Sequence, residues 1–367
     1  MPTERAYWFA WSQVSGLGPI LQKRLANHFG SLEAAWTASA KTLQQVEGIG
    51  SKVADAIAYG RSKVNLACAE MQTGNFVTPA DAAYPQLLFE IPDPPPVLYY
   101  QGKLELLSAC NHQPAVGIVG TRSPSEYGKR WTRRLTRSLC RAEFLIISGL
   151  AAGIDREAHQ STLQVEGQTI AVLGTGVDVV YPFRNQDLHQ AIAQSGLLVS
   201  EHPPGTAPDK AYFPRRNRVI AGLCRALLVT EAPRKSGALI TARLANDYGR
   251  DVFALPGSLD NLRCHGCLDL LNQGAQMVLG DYTLIDALGA IPIKQSTEVS
   301  AVSPDLPPPL QQVFQAITLD AMPLDAIVQQ IGDQSTGDIL SALTQLELMG
   351  LIYNLPGTQQ YQRCHNP

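Results

Sequence analysis

From Ala115 onward, short apolar runs alternate with segments whose apolar residues recur at helical spacing. Ala115–Val119, Phe144–Ser148, Thr169–Leu173, Leu197–Ser200, Ala226–Thr230, Asp251–Ala254 and Gln276–Val278 read as strands, each short and bounded by glycine, proline or polar turn residues. After the first strand, Tyr127, Trp131, Leu135 and Leu139 form one stripe of a helix that runs to Arg141, and Arg130, Arg133, Arg134, Arg137 and Arg141 lie off that stripe. Continuous apolar strands separated by helical segments predict an α/β domain with a doubly wound, mostly parallel sheet. In such a sheet, ligands bind beyond the carboxyl ends of the strands.

The polar motifs of this region fall at those ends. They are Gly120-Thr-Arg122, Ser148-Gly149 with Gly153, Gly174-Thr-Gly176, Ser200-Glu201, Glu231 with Ser236-Gly237, and Pro256-Gly257. One glycine turn after a strand carries little information, whereas a series at equivalent sheet ends is a constellation. None of the turns is a Gly-x-Gly-x-x-Gly fingerprint, so no dinucleotide cofactor is expected, and no Gly-Lys-Ser/Thr loop is present for nucleoside triphosphate hydrolysis. The stretch from Lys210 to Arg218 adds a different chemistry. Lys210, Arg215, Arg216 and Arg218 are interleaved with Tyr212, Phe213 and Asn217. Cations take phosphates and rings stack on bases, so the stretch suits a nucleic-acid strand. A solvated basic helix start is the plainer alternative.

The flanks read differently. Residues 1–74 form a helical segment with two similar turns, Val14-Ser-Gly16-Leu17-Gly18-Pro19 and Val46-Glu-Gly48-Ile49-Gly50-Ser51, each leading into a helix. Such glycine turns expose backbone N–H groups at a helix start and resemble the helix-hairpin-helix module; a small helical bundle with glycine turns is the other possibility. Five basic residues against four acidic ones between Met1 and Tyr59 predict weak DNA contact there. Residues 75–288 form the α/β domain. Its first part, 75–114, carries Pro85, Pro92, Pro94, Pro95 and Pro96, which exclude a helix and predict an extended connector packed on that domain. Residues 289–309, rich in proline, serine and threonine, read as a linker. Residues 310–367 resemble a small winged helix, with helices over Leu310–Ile317, Pro323–Gln330 and Thr336–Met349 and a wing hairpin between Gly350 and Tyr361. From Leu310 on, Asp320, Asp325, Asp333, Asp338 and Glu347 face only Arg363, which predicts a protein-interaction or regulatory wing rather than a DNA reader.

Composition changes this picture only locally. The 367 residues are 45% hydrophobic with a net charge of −3, so the whole chain has no nucleic-acid signature. Between Ala115 and Ile285, however, 19 Lys+Arg stand against 15 Asp+Glu, and local fields decide where a polyanion docks. The seven cysteines are scattered singly apart from Cys264 and Cys267, which fits a reducing cytoplasm and no disulfide framework. No apolar run is long enough to span a membrane, and the start of the chain has no apolar signal core.

Taken in order, the motifs resemble one family. They are Val119-Gly120-Thr-Arg122-Ser with Tyr127-Gly128, Ser148-Gly149-Leu-Ala-x-Gly153-Ile-Asp155 with Ala158-His159, Gly167 to Gly176, and Tyr181-Pro182. Ser200-Glu201, Phe213-Pro-x-Arg216-Asn217-Arg218, Glu231 with Ser236-Gly237 and Leu239-Ile-Thr241-Ala, and Pro256-Gly257 complete the series. The pattern, strongest from Tyr84 to Val278, is similar to the DNA processing protein A family, also called DprA or Smf. The resemblance implies an extended Rossmann-like domain flanked by an N-terminal helical (helix-hairpin-helix or SAM-like) domain and a C-terminal winged helix. It implies a non-enzymatic protein that binds single-stranded DNA. Such a protein protects incoming DNA and loads the RecA recombinase in natural transformation, acting as a homodimer in the cytoplasm, with no cofactor or metal and no catalytic residue. Carried over by residue, Arg122 grips a phosphate, Lys210 contacts the backbone and Phe213 stacks on a base. Arg216, Asn217 and Arg218 line the same pocket, and Gly120, Ser148, Gly149, Gly153, Gly174, Gly176, Ser236 and Gly237 form its turns.

Several readings stay open at this level. After Pro256-Gly257 the chain departs from the family, with Cys264, Cys267 and Leu268 where polar residues are expected. Cys264-His265-Gly-Cys267 invites a metal or redox reading against that of a buried cysteine pair at a helix start. Asp155 and His159 share a helix face, as an acid–base pair or as structural hydrogen-bonding groups. Glu231 at a strand end leaves a competing hypothesis, an enzyme of this fold hydrolysing a nucleotide or nucleoside phosphate. Nucleotide-hydrolysing relatives of the fold carry a Gly-Gly-x-Gly-Thr loop that is absent here.

Overall fold

The computed structural model describes residues 2–66, 74–289, 306–318, 322–332, 335–349, 351–355 and 360–363, in two compact units, Met1–Ile293 and Lys294–Pro367. The first unit is built on a nine-stranded sheet. Its strands are β1 (Phe76–Val77), β2 (Leu98–Gly102), β3 (Ala115–Val119), β4 (Leu145–Ser148), β5 (Thr169–Leu173), β6 (Leu197–Ser200), β7 (Ala226–Val229), β8 (Asp251–Ala254) and β9 (Gln276–Met277). The order is β1-β2-β6-β5-β4-β3-β7-β8-β9. From β6 across to β9 every pairing is parallel.

The apolar runs that predict these strands are continuous because both faces of the sheet are covered. Residues of β3 to β7 are all buried. Alternate residues point to opposite faces: Val119, Leu145, Ile147, Leu227 and Val229 join one core, with Val219, Leu223 and Ala242 from the helices Tyr212–Leu223 and Ala238–Asp247. Val116, Ile118, Ile146 and Leu228 join the other, with Leu135, Leu139, Ile154 and Ala158 from the helices Glu126–Arg141 and Ile154–Gln164. The chain steps outward from β3 through β4, β5 and β6, then returns to place β7 on the other side of β3. Every parallel strand therefore delivers its carboxyl end to one edge.

The proline-rich segment differs from the expected connector. Residues 75–114 contribute β1 and β2, which extend the sheet antiparallel beyond β6 with Tyr99 opposite Ser200. They also form the helices Gln86–Glu90 and Glu105–Ala109. Pro85 sits just outside the first of these, where a missing N–H costs nothing. Only the stretch between Pro92 and Pro96 is kept open by its rings.

Ahead of the sheet, the helices Glu4–Ser12, Pro19–Phe29, Leu32–Thr37, Ala40–Leu43 and Ser51–Lys63 close around Trp11, whose indole N–H donates to Leu32 O at 3.0 Å. Gly18 and Gly50 are the N-caps of the second and fifth of these helices, and Gly16 and Gly48 turn with φ of +82° and +89°. Leu17 and Ile49 between them are buried, which explains the apolar residue inside each glycine turn. Arg5 donates to Phe76 O at 2.8 Å, and Lys23 donates to Glu90 O and Ile91 O, anchoring these helices to the sheet domain.

The second unit packs the helices Pro308–Ala316, Leu324–Ile331 and Thr336–Leu348 against a three-stranded sheet of Met322–Pro323, Gln360–Arg363 and Ile352–Leu355. Val313, Ile327, Ile339, Leu343 and Leu346 are its buried centre. Most of the linker expected over 289–309, together with Asp320 and Asp333, lies outside the described residues. No helix among the described residues is long and apolar enough to cross a membrane.

Candidate nucleic-acid interface

Three turns at the carboxyl edge are held against one another by glycines with no room for a side chain. A Cβ on Gly120 would come within 2.5 Å of Ile154 and 2.7 Å of Glu231 O. Gly153, with φ of +83°, would place one 2.3 Å from Thr121 O. The β3 turn is tied on both sides: Thr121 N donates to Glu231 O at 2.7 Å, and Ile154 N donates to Thr121 O at 3.1 Å. Arg122 therefore starts from a clamped backbone. At the end of β4, the Ser148 hydroxyl donates to Ile118 O at 2.6 Å, and Gly149 N and Ala151 N donate to Asp155 Oδ2 at 3.1 and 3.4 Å.

The β3 and β4 turns, with the segment after β5 and the start of the helix Tyr212–Leu223, enclose a cavity of about 350 Å³ lined by Arg122, Gly149, Gly174, Tyr181, Arg184 and Phe213, among others. The Arg122 guanidinium stands 5.8 Å from the Phe213 ring centroid. The Tyr181 ring stacks on Phe213 at 5.2 Å with planes 28° apart. A Cβ on Gly174 would meet the Phe213 ring at 2.8 Å, so the glycine is what allows the ring to sit there. Arg216, one turn further along the helix Tyr212–Leu223, forms part of the floor. It is buried and donates to Gly149 O at 2.7 Å and to Val172 O. Burial pushes its pKa down to about 10, against the pull of Asp155 and with help from Arg122, so it keeps its charge at neutral pH. Burial likewise raises the Asp155 carboxyl, against Arg216 and the two backbone donors. The result is a shallow cationic site with two aromatic faces. It can hold an anion on Arg122 and a flat ring beside Phe213 and Tyr181.

Residues 75–289 of the chain match the DNA recombination-mediator protein A family. The chain belongs to this family. Residues 298–358 match the DprA winged helix domain and residues 14–59 a helix-hairpin-helix motif. Protein Smf of Synechocystis sp. is 45% identical over 98% of this chain and 99% of its own length, and Protein Smf of Escherichia coli is 37% identical over 80% of each. Among solved structures, DNA processing protein A of Streptococcus pneumoniae superposes with a TM-score of 0.69 at 34% identity, covering 78% of this chain and 98% of that one. DNA processing protein A of Helicobacter pylori, studied for its single-stranded DNA binding mode, gives 0.53 at 33% identity over 59% of this chain and 96% of that one.

In this member of the family the expected site residues do not all share one place. Arg122, Gly149, Gly174, Phe213 and Arg216 meet at the cavity, with Gly120 and Gly153 behind them. Lys210 lies exposed just ahead of the helix Tyr212–Leu223 and makes no hydrogen bond or ion pair to another described residue. Asn217 bridges outward, accepting from Arg216 Nε at 3.3 Å and donating to Gly237 O at 3.4 Å; Ser236 accepts from Ala238 N at the start of the next helix. Gly176 holds the neighbouring loop through its N–H to Thr206 O at 3.0 Å. Arg218 departs from the expected common pocket. It is buried between Asp93, at 3.1 Å, and Glu201, because it projects from a different face of the helix than Arg216. Tyr181 and Arg184 are lining residues that the sequence reading did not single out. Tyr181-Pro182 was visible as a motif, but a side chain in an irregular turn has no periodicity to reveal its direction.

The other candidates take structural places. Glu231 is fully buried and accepts from Ser125 N at 2.7 Å, from the Ser125 hydroxyl at 2.6 Å and from Asn261 Nδ2 at 3.3 Å. It thus fastens the start of the helix Glu126–Arg141 to the end of β7. Asp155 and His159 do not bond each other; His159 Nδ1 pairs with the Thr169 hydroxyl at 2.7 Å, and burial, with Arg216 adding to it, pushes its pKa down to about 3. Cys264 and Cys267 are both buried at the start of the helix His265–Asn272, and burial pushes the Cys267 thiol up to about 12. Among the described residues no group of three His, Cys, Asp or Glu side chains could hold a metal ion.

Proposed function

We propose that this protein binds single-stranded DNA at the carboxyl edge of its sheet, without catalysing a reaction. The observation that carries this reading is the convergence of Arg122, Phe213 and Tyr181 on one cavity. A bidentate cation beside stacked rings recognises a phosphate and an unstacked base, a pair of features that only a single strand presents together. Exposed Lys210, two residues ahead of the helix that carries Phe213, adds a backbone contact. The Helicobacter pylori relative, studied for its own single-stranded DNA binding mode, supports a single-strand ligand. Nothing here favours nucleotide hydrolysis: the carboxylate best placed for it, Glu231, is buried and committed to Ser125 and Asn261.

Within this reading the protein is a cytoplasmic mediator. It protects incoming single strands in natural transformation and hands them to the RecA recombinase. It acts as a homodimer. Support for the dimer comes from the open end of the sheet, where β9 is an exposed edge strand and Met277, Leu279 and Tyr282 are exposed apolar side chains. β9 is too short to be a strong pairing edge by itself, so the support comes from the exposed apolar side chains, which mark a protein contact surface. Binding of fluorescent single- and double-stranded oligonucleotides across a salt series tests the proposal. Preference for the single strand, lost in Arg122→Ala and Phe213→Ala, is the expected result. Unchanged affinity in both variants, or release of base or phosphate from nucleotides, would overturn it.

A further inference from the structure

The carboxyl edge of the sheet carries a second, larger concavity of about 950 Å³. Strand order places it beside the first. Moving outward from β4 and β5, whose turns line the Arg122 cavity, the edge continues through β6, β2 and β1. Because β2 runs antiparallel to β6, its first residues lie at this edge, with Tyr99 paired to Ser200. Tyr99, Tyr100, Phe76, His202 and Arg215 line the groove, and Phe9 of the helix Glu4–Ser12 closes it from the N-terminal side.

One helix start serves both concavities. Phe213 lines the first and Arg215 lines the second. Two residues along a helix is about 200° of rotation, so these side chains leave on opposite sides. Tyr212, just ahead of Phe213, sets its ring 4.0 Å from that of His202 with the planes tilted by 31°. Half-buried Tyr99 is backed by other rings: it lies 6.0 Å from Phe76, which is itself buried under Arg5, and Phe76 lies 5.2 Å from Phe9. Asn75 and Gln101 add amides that can meet base edges. The acidic lining residue, Glu201, already has its charge met by Arg218. Arg215 is exposed and makes no salt bridge within 4.0 Å to a described carboxylate; Glu201, bonded to Arg218, is near enough to feel its charge.

We propose that this groove is a second subsite for the same DNA strand. The strand leaves the Arg122–Phe213 cavity, crosses the start of the helix Tyr212–Leu223, sets a phosphate on Arg215 and lays a base against Tyr99. The inference rests on the single-strand reading of the first cavity. It gives the N-terminal helices a task, since Phe9 and Pro19 wall the groove and so lengthen the footprint of the sheet domain.

The test is fluorescence anisotropy on the full chain with oligothymidylates of about four and about twelve nucleotides, bracketing one and two subsites. Arg215→Ala and Tyr99→Leu are compared with Arg122→Ala, after circular dichroism confirms that each variant is folded. Arg215→Ala and Tyr99→Leu are each expected to weaken the longer strand about tenfold and to leave the shorter one within about twofold of wild type. Arg122→Ala is expected to weaken both. If Arg122→Ala loses binding while Arg215→Ala and Tyr99→Leu keep wild-type affinity for the longer strand, the second subsite is overturned and the first stands. Equal losses on both lengths in the groove variants also overturn it. If Arg122→Ala changes neither length, the single-strand reading falls and this inference with it.

Discussion

The Arg122 guanidinium stands 5.8 Å from the centroid of the Phe213 ring, although the two residues come from different turns of the sheet edge. The contact preorganises both groups, since each restricts the other before any ligand arrives. Their chemistries still give separate readouts, charge neutralisation for one and stacking for the other. Arg122→Ala should weaken single-strand binding and reduce the slope of log affinity against log salt by about 0.7, the value for one phosphate contact on a single strand. Phe213→Ala should cost about 1–3 kcal/mol of affinity and leave the salt slope unchanged, because a stacked base releases no counterion. An unchanged slope in Arg122→Ala would remove the phosphate role.

Arg216 should behave as part of the scaffold. Its guanidinium satisfies Gly149 O and Val172 O beneath the cavity, and Asp155 lies close enough to oppose the drop in its pKa. Arg216→Ala is expected to cost about 2–3 kcal/mol of folding stability, through the buried carbonyls it leaves unpaired. The measurement is the shift in urea midpoint. A variant of wild-type stability that only loses DNA affinity would make Arg216 a direct contact instead.

Gly153 should tolerate no side chain. Its φ of +83° and the 2.3 Å approach to Thr121 O both oppose a Cβ. Gly153→Ala is expected to lose about 1–3 kcal/mol of stability and to displace the Arg122 turn, so DNA affinity falls along with the urea midpoint. Gly237→Ala, where a Cβ meets nothing within 4 Å, is the matched control.

Acid should destabilise the protein through His159. Burial, with the nearby Arg216 charge adding to it, holds its pKa in the folded state down to about 3, against an ordinary value of 6.5. The unfolded chain therefore binds the extra proton between these values, and stability present above pH 6.5 is lost as pH falls. The loss attributable to this one group is about 2 kcal/mol at pH 5. His159→Gln, which does not titrate, should flatten the dependence of the urea midpoint on pH between about 6.5 and 5. An equally steep profile in the variant would place the acid sensitivity elsewhere.

The acidic second unit should contribute little to DNA affinity. Asp325, Asp338 and Glu347 lie among its described residues, and a recognition surface without excess cations does not offset phosphate repulsion. A chain ending after Ile293, where the first unit ends, is expected to bind single strands within about twofold of the intact protein at physiological salt. A larger loss would make the winged helix a DNA contact.

The sheet was legible in the sequence because its strands are buried on both faces. An uninterrupted run such as Ala115–Val119 has few alternative places in a fold. The glycine turns were legible for a related reason: clamped backbone leaves no choice of residue, as at Gly120 and Gly153. β2 was not legible, since Leu98–Gly102 is a short edge strand beside prolines and pairs with β6 about a hundred residues later. Nothing local announces a partner so distant.

By itself, the sequence determined which chemistry is present: an arginine after the first strand, and a basic aromatic stretch at the start of one helix. Which of those cations face a ligand was decided only by tertiary structure. Lys210, Arg215, Arg216 and Arg218 look equivalent in a string, yet Lys210 stays exposed, Arg215 enters the outer groove, Arg216 goes beneath the cavity, and Arg218 is buried against Asp93 and Glu201. The physical reason is that a helix packed on a sheet distributes neighbouring residues around its axis. Burial then assigns each charge the nearest group able to satisfy it, and that group comes from a distant part of the chain.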